Sequence, residues 1–190
     1  MLQVTNKDKN ITEKIKNILN IFDKVGVTTK ETMGNIPEKY DPGKLLKGFK
    51  SIIVFAEGKK KNSNDKMGGF SDYLGTISAQ SEVIRYLDSL GYNSTVIEGT
   101  SKDLSLVKMG IEAGIGELSP VNSLVVKGFG LTTSLGAIIT DAPLIGDKKV
   151  SGICIKCMKC LKVCPIRDVP YKKGDLDKCG CGKCRNICPV

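Results

Sequence analysis

The chain has 190 residues, 41% hydrophobic and 26% charged, with a formal net charge of +9. This composition predicts a globular fold of one ordinary domain plus a small appendage, and it contains no apolar run of the roughly eighteen residues that a membrane span needs. Histidine and tryptophan are absent, which excludes Ser-His-Asp triads, His-ligated zinc and a histidine ligand to a corrinoid cobalt from this chain.

The polar start, Met1-Leu2-Gln3-Val4-Thr5-Asn6-Lys7, predicts no secretory leader and therefore a cytoplasmic protein. Asn10 to Val25 predicts an amphipathic helix, because Ile11, Ile15, Ile18, Leu19 and Phe22 recur at helical spacing. Asn10 is its expected cap and Gly26 its expected end. Residues 27–49 read as a connecting segment broken by Pro37 and Pro42, and Ser51 to Ala56 as a buried strand, being apolar and β-branched. After a Lys- and Gly-rich loop, Phe70 to Leu90 predicts a long helix with Leu74, Ile77, Ser81, Ile84 and Leu87 or Asp88 on one face, ended by Gly91.

Asn93 to Ile97 reads as a strand and Leu104 to Ala113 as a helix. The turn-rich junction Ala113-Gly114-Ile115-Gly116-Glu117-Leu118 follows, and it is no dinucleotide fingerprint. Ser123 to Lys127, the tight turn Gly128-Phe129-Gly130 and Leu131 to Thr140 predict a hairpin, which Pro143 stops because proline cannot continue a ladder. Residues 145–152 read as a polar linker. The expected domains are therefore an α+β scaffold over residues 1–150 and a cysteine-rich module over residues 151–190.

All eight cysteines lie between Cys154 and Cys188, in two similar copies. The first is Cys154-x2-Cys157-x2-Cys160-x3-Cys164-Pro165; the second is Cys179-x-Cys181-x2-Cys184-x3-Cys188-Pro189. Dense, short-spaced cysteines in a chain without a secretory leader point to metal rather than to a disulfide framework. The first copy matches the bacterial run for two [4Fe–4S] clusters, in which the fourth cysteine ligates the other cluster. Cys154, Cys157, Cys160 and Cys188 are thus assigned to one cluster, and Cys164, Cys179, Cys181 and Cys184 to the second. Soft thiolates also suit zinc, but zinc gives no reason for a proline after each run. The second copy departs by one residue at Cys179-x-Cys181, which leaves a [3Fe–4S] or site-differentiated second centre as an alternative.

Residues 151–190 hold nine Lys/Arg against three Asp/Glu, while the first 150 hold twenty against seventeen. Two oxidised clusters with their thiolates carry about −4 in total, which offsets most of the excess on the tail. A docking surface for an acidic electron-transfer partner is the expectation; membrane and nucleic acid are not.

The order of motifs extends beyond a ferredoxin. Ala113-Gly114-Ile115-Gly116-Glu117-Leu118, Ser123-Leu124-Val125-Val126, Phe129-Gly130 and Leu135 to Leu144, followed by the cysteines, resemble the corrinoid-dependent epoxyqueuosine reductases and reductive dehalogenases. Ile84 to Tyr92 and Ser51 to Phe55 are similar to earlier segments of that family, so the resemblance covers about residues 38–190. It implies a nitroreductase-like (corrinoid-reductase-like) α+β domain, followed by a ferredoxin-like module whose clusters feed electrons to base-off cobalamin. The implied corrin-facing residues are Gly114, Gly116, Glu117, Leu118, Thr132, Thr133 and Ser134. Tyr73, Glu98 and Asp103 are the implied candidates for a proton donor. Ser119-Pro120-Val121-Asn122 replaces the family's Gly-Lys/Arg-Asn, and the tRNA-binding repeats of epoxyqueuosine reductases are not expected after Val190. Two functions follow: an iron–sulfur electron-transfer protein serving a redox partner or a corrinoid, or a small cobalamin-dependent reductase acting directly on a substrate.

Overall fold

The computed structural model describes residues 5–34, 36–59, 73–97, 104–165 and 182–190. Helix α1 runs from Asn6 to Ile18. It starts earlier than its apolar periodicity suggests, because Thr5 and Asp8 form a reciprocal cap: the Thr5 hydroxyl accepts from the Asp8 N–H at 3.2 Å, and the Thr5 N–H donates to Asp8 Oδ2 at 3.0 Å. A 3-10 turn over Leu19–Ile21 closes the helix, and strand β1 follows at Lys24–Thr29. The expected helix over Asn10 to Val25 is therefore wrong at both ends. Gly26 lies inside β1, where a Cβ would run into the carbonyl oxygen of Ala113.

Strands β2 (Ser51–Gly58), β3 (Ser94–Ile97) and β6 (Thr133–Thr140) complete a four-stranded antiparallel sheet in the order β1-β2-β6-β3. Successive side chains of a strand face opposite sides, and β2 uses both. Ile52, Val54 and Ala56 join Ala137 and Ile139 in one core with helix α3 (Leu106–Glu112); Ile53 and Phe55 join Ile138 in the other, with α1 and helix α2 (Tyr73–Ser89). The result is a mixed α/β fold with helices on both faces of the sheet. Phe55 stacks on Phe22 with ring centroids 4.5 Å apart. Gly136 lies under the Phe55 ring, where any side chain would clash.

Helix α2 spans Tyr73–Ser89 and buries Thr76, Ala79, Val83 and Leu87. The expected face was misjudged: Leu74 and Ile77 are exposed, 78% and 41% respectively. Small Thr76 and Ala79 let α2 approach α1 and the sheet, so the tight contact selects them over the larger side chains.

The predicted hairpin is also corrected. The turn exists, since Phe129 and Gly130 both donate their N–H to the Val126 carbonyl. Its arms, however, enter different sheets. Strand β5 (Leu124–Val125) pairs with β4 (Glu117–Leu118), while β6 enters the main sheet between β2 and β3. Among the described residues the arms are joined by the isolated Val126–Gly130 bridge.

Residues 145–152 are tied to the scaffold at several points. Asp147 takes Lys16 Nζ at 2.7 Å on each oxygen and the Val27 N–H at 2.8 Å, and the Ile145 N–H donates to Thr12 Oγ1 at 2.9 Å. Among the described residues no helix is long and apolar enough to cross a membrane.

Candidate metal centre

The described helices of the two cysteine copies are alike. Helices α4 (Lys159–Val163) and α5 (Lys183–Ile187) are five residues each and pack against one another. Each begins after a left-handed residue, Met158 at φ 61° and Gly182 at φ 66°, and each ends in an extended cysteine, Cys164 at φ −71°, ψ 122° and Cys188 at φ −66°, ψ 124°. The proline that follows explains the extended cysteine, because it excludes the helical conformation from the residue before it. The last thiol of each run is thereby turned out of the helical direction of the others.

Cys154, Cys157, Cys160 and Cys188 line one cavity, backed by Ser119, Pro120, Val125 and Leu131 of the scaffold. Cys160 and Cys188 are buried, and Cys154 and Cys157 are half-buried. Burial pushes the Cys160 thiol up; the Leu161 backbone N–H opposes this, and the Cys154, Cys188 and Cys157 sulfurs add to it. Gly130, at φ 60°, gives Cys188 its room: a Cβ there would lie 2.9 Å from the Val190 carbonyl oxygen and 3.0 Å from Cys188 Sγ.

Four sulfurs around one space fit an iron–sulfur core, whose irons each take one thiolate. No disulfide joins the six described cysteines. Cys164 and Cys184 are half-buried beside the apolar cluster of Val121, Val125 and Leu131; Cys179 and Cys181 lie outside the described residues.

Two non-glycine residues in the loop adopt left-handed backbone, Lys156 at φ 51° and Met158 at φ 61°. They flank Cys157. Such conformations cost about 1–2 kcal/mol per residue, and strain of this kind gathers at functional sites. No local signal in the sequence marks them, since neither is glycine or asparagine.

The residues implied by family resemblance fall elsewhere. Gly114 and Gly116 permit close approaches by the chain's own backbone, to the carbonyl oxygens of Lys148 and Val125. Glu117 Oε2 accepts from the Ile153 N–H at 2.9 Å and the Cys154 N–H at 3.1 Å, so it grips the start of the cysteine run. Leu118 is 48% exposed. The Thr132 hydroxyl lies 2.6 Å from the Phe129 carbonyl oxygen and 3.0 Å from that of Lys59; Thr133 and Ser134 begin β6 opposite Gly58 and Glu57. None of these seven lines the cysteine cavity or the groove between α1 and α2, which is bounded by Ile18, Phe22, Glu57, Thr76 and Glu82. Tyr73, at the first described turn of α2, is 68% exposed and lines neither space; Glu98 and Asp103 lie outside the described residues.

The chain matches no family model. It is 23% identical to an epoxyqueuosine reductase of Atelocyanobacterium thalassa (isolate ALOHA), over 80% of this chain and 62% of that protein, and 26% identical to one of Bacillus cereus, over 82% and 52%. The solved epoxyqueuosine reductase of Bacillus subtilis superimposes with a TM-score of 0.72 at 20% identity, over 95% of this chain and 65% of that one. A catabolic reductive dehalogenase superimposes at 0.65 and 17% identity, over 96% and 30%. The chain is thus similar in sequence and fold to epoxyqueuosine reductases, and in fold to reductive dehalogenases. It spans between half and two-thirds of the length of the epoxyqueuosine reductases that it matches. The mixed α/β fold with its antiparallel sheet matches the folds of these epoxyqueuosine reductases.

Proposed function

We propose that this chain belongs with the epoxyqueuosine reductases and reductive dehalogenases and is a cytoplasmic iron–sulfur electron-transfer protein that passes low-potential electrons through two [4Fe–4S] clusters to a partner protein or a bound corrinoid. One observation carries the reading: the last cysteine of the second run, Cys188, shares a cavity with the first three of the first run. That is the crossed ligation expected when two runs hold two cubes. Cys154, Cys157, Cys160 and Cys188 then hold the first centre, and Cys164, Cys179, Cys181 and Cys184 the second. When bound, the clusters supply one-electron transfer. The chain's own part is to bind them, exclude water from Cys160 and Cys188, and present a face to a donor.

That face is basic. Lys156, Lys159, Lys162, Lys183 and Arg185 are exposed, and the described residues of the module include no acidic side chain. A small acidic one-electron carrier is the complementary donor.

Kinship with epoxyqueuosine reductases favours a second reading, a cobalamin-dependent reductase acting directly on a substrate. One solved neighbour is an epoxyqueuosine reductase with an epoxyqueuosine-modified tRNA stem loop, so an RNA substrate belongs to this second reading.

Oxygen-free purification with iron, sulfide and cobalt analysis tests both. About eight irons per chain and a low-potential EPR signal after dithionite support electron transfer. Zinc in place of iron, or no signal, overturns it. A base-off spectral change on adding cobalamin, with reduction of a modified stem loop, establishes the second reading in its place.

A further inference from the structure

Glu117 joins the scaffold to the first cysteine. It opens β4, next to Gly116, whose missing side chain lets the backbone pass close to the Val125 carbonyl oxygen. Val125 in turn backs the cysteine cavity. From there Glu117 Oε2 accepts both the Ile153 N–H at 2.9 Å and the Cys154 N–H at 3.1 Å. A single carboxylate oxygen thus occupies two adjacent backbone donors at the point where the chain enters the cavity.

The potential of an iron–sulfur centre depends on its net charge and on hydrogen bonds to its sulfurs. A backbone N–H that donates to a thiolate or sulfide favours the reduced, more negative core; a nearby carboxylate disfavours it. Glu117 acts on both. It takes up two donors beside the first ligand and places a negative charge one hydrogen bond from that ligand's own backbone. We propose that Glu117 is a positioning residue that anchors Cys154 and holds the first centre at a lower potential than the same four thiolates would set without it. The inference rests on the cluster assignment proposed above.

The test uses the full chain, reconstituted with iron and sulfide without oxygen, as wild type, Glu117→Gln and Glu117→Ala. Iron and sulfide are counted, each centre's midpoint is read by EPR-monitored titration, and amide hydrogen exchange is followed at Ile153 and Cys154. Glu117→Gln keeps one acceptor oxygen and loses the charge. It should hold wild-type iron, keep both amides protected, and raise one midpoint. At the wild-type midpoint the ratio of reduced to oxidised centre should rise about tenfold, equivalent to about 59 mV for one electron. Glu117→Ala also frees the two N–H groups, so that midpoint should rise further and both amides should exchange faster.

Full iron with both midpoints unmoved in Glu117→Gln overturns the potential-setting role. Unchanged exchange at Ile153 and Cys154 in Glu117→Ala overturns the anchor. Loss of iron from Glu117→Gln with its circular dichroism intact also overturns the proposal, because the amide should keep the anchor. A wild-type chain that takes up zinc and no iron overturns the cluster reading and this inference with it, whereas full iron with unmoved potentials removes this inference alone.

Discussion

Lys149 Nζ lies 2.6 Å from Glu112 Oε2, and the Glu112 side chain is buried while that of Lys149 is half exposed. Among the described residues that oxygen has no other partner. Removing one member of a pair costs more than removing both, because a buried charge is left uncompensated. Lys149→Met should therefore destabilise the chain by about 1–3 kcal/mol, and Lys149→Met with Glu112→Gln should recover most of that. Urea unfolding of the single and double variants measures it; equal losses in both would show that the pair contributes nothing.

Crossed ligation makes a prediction about pairs of cysteines. Cys157→Ala and Cys188→Ala should each reduce iron from about eight to about four per chain, and the double variant should lose no more than either single one. Cys157→Ala with Cys184→Ala should lose nearly all iron. Were Cys188 to serve the second centre, Cys157→Ala with Cys188→Ala would also lose nearly all iron.

The copies of the module differ at their helix caps, Met158 against Gly182. Glycine adopts the left-handed conformation without the cost that a side chain brings. Met158→Gly should stabilise the chain by about 0.5–1 kcal/mol, and Gly182→Ala should destabilise it by about 1 kcal/mol. Thermal unfolding of the two variants should give shifts of opposite sign; shifts of the same sign would deny the equivalence of the caps.

Charge reversal tests the donor face. Lys156→Glu with Lys159→Glu should slow reduction by an acidic carrier protein about tenfold at low salt, and the difference should fade as salt screens it. Reduction by dithionite, a small reagent, should be nearly unaffected. A slowing that persists at high salt would point to damage at the centre.

Elements with a strong local signal were legible along the chain. The unbroken apolar run at Ser51 declared β2, and Ser94–Ile97 and Leu106–Glu112 fell where composition placed β3 and α3. The cysteine spacing was legible as a ligand pattern, because a motif wrapped around one centre carries its geometry in a few consecutive residues, and Cys188 lines one cavity with Cys154, Cys157 and Cys160.

What required distant partners was not legible. The face that α2 buries depends on how closely α1 and the sheet approach it, and small Thr76 and Ala79 permit an approach that Leu74 and Ile77 would not. β1 was hidden because Gly26 resembles a helix stop, whereas its bareness accommodates the Ala113 carbonyl, far away in the chain. The arms beside Gly128 share a turn yet enter separate sheets, since the central position between β2 and β3 buries both faces of β6. Glu117 looked like one charged residue in a glycine-rich turn, and only the return of the chain to residue 153 gave its carboxylate two backbone donors. Ligand spacing acts over a few bonds and can be written locally. Burial, close approach and hydrogen-bond partnership are relations between surfaces that meet only when the chain has folded.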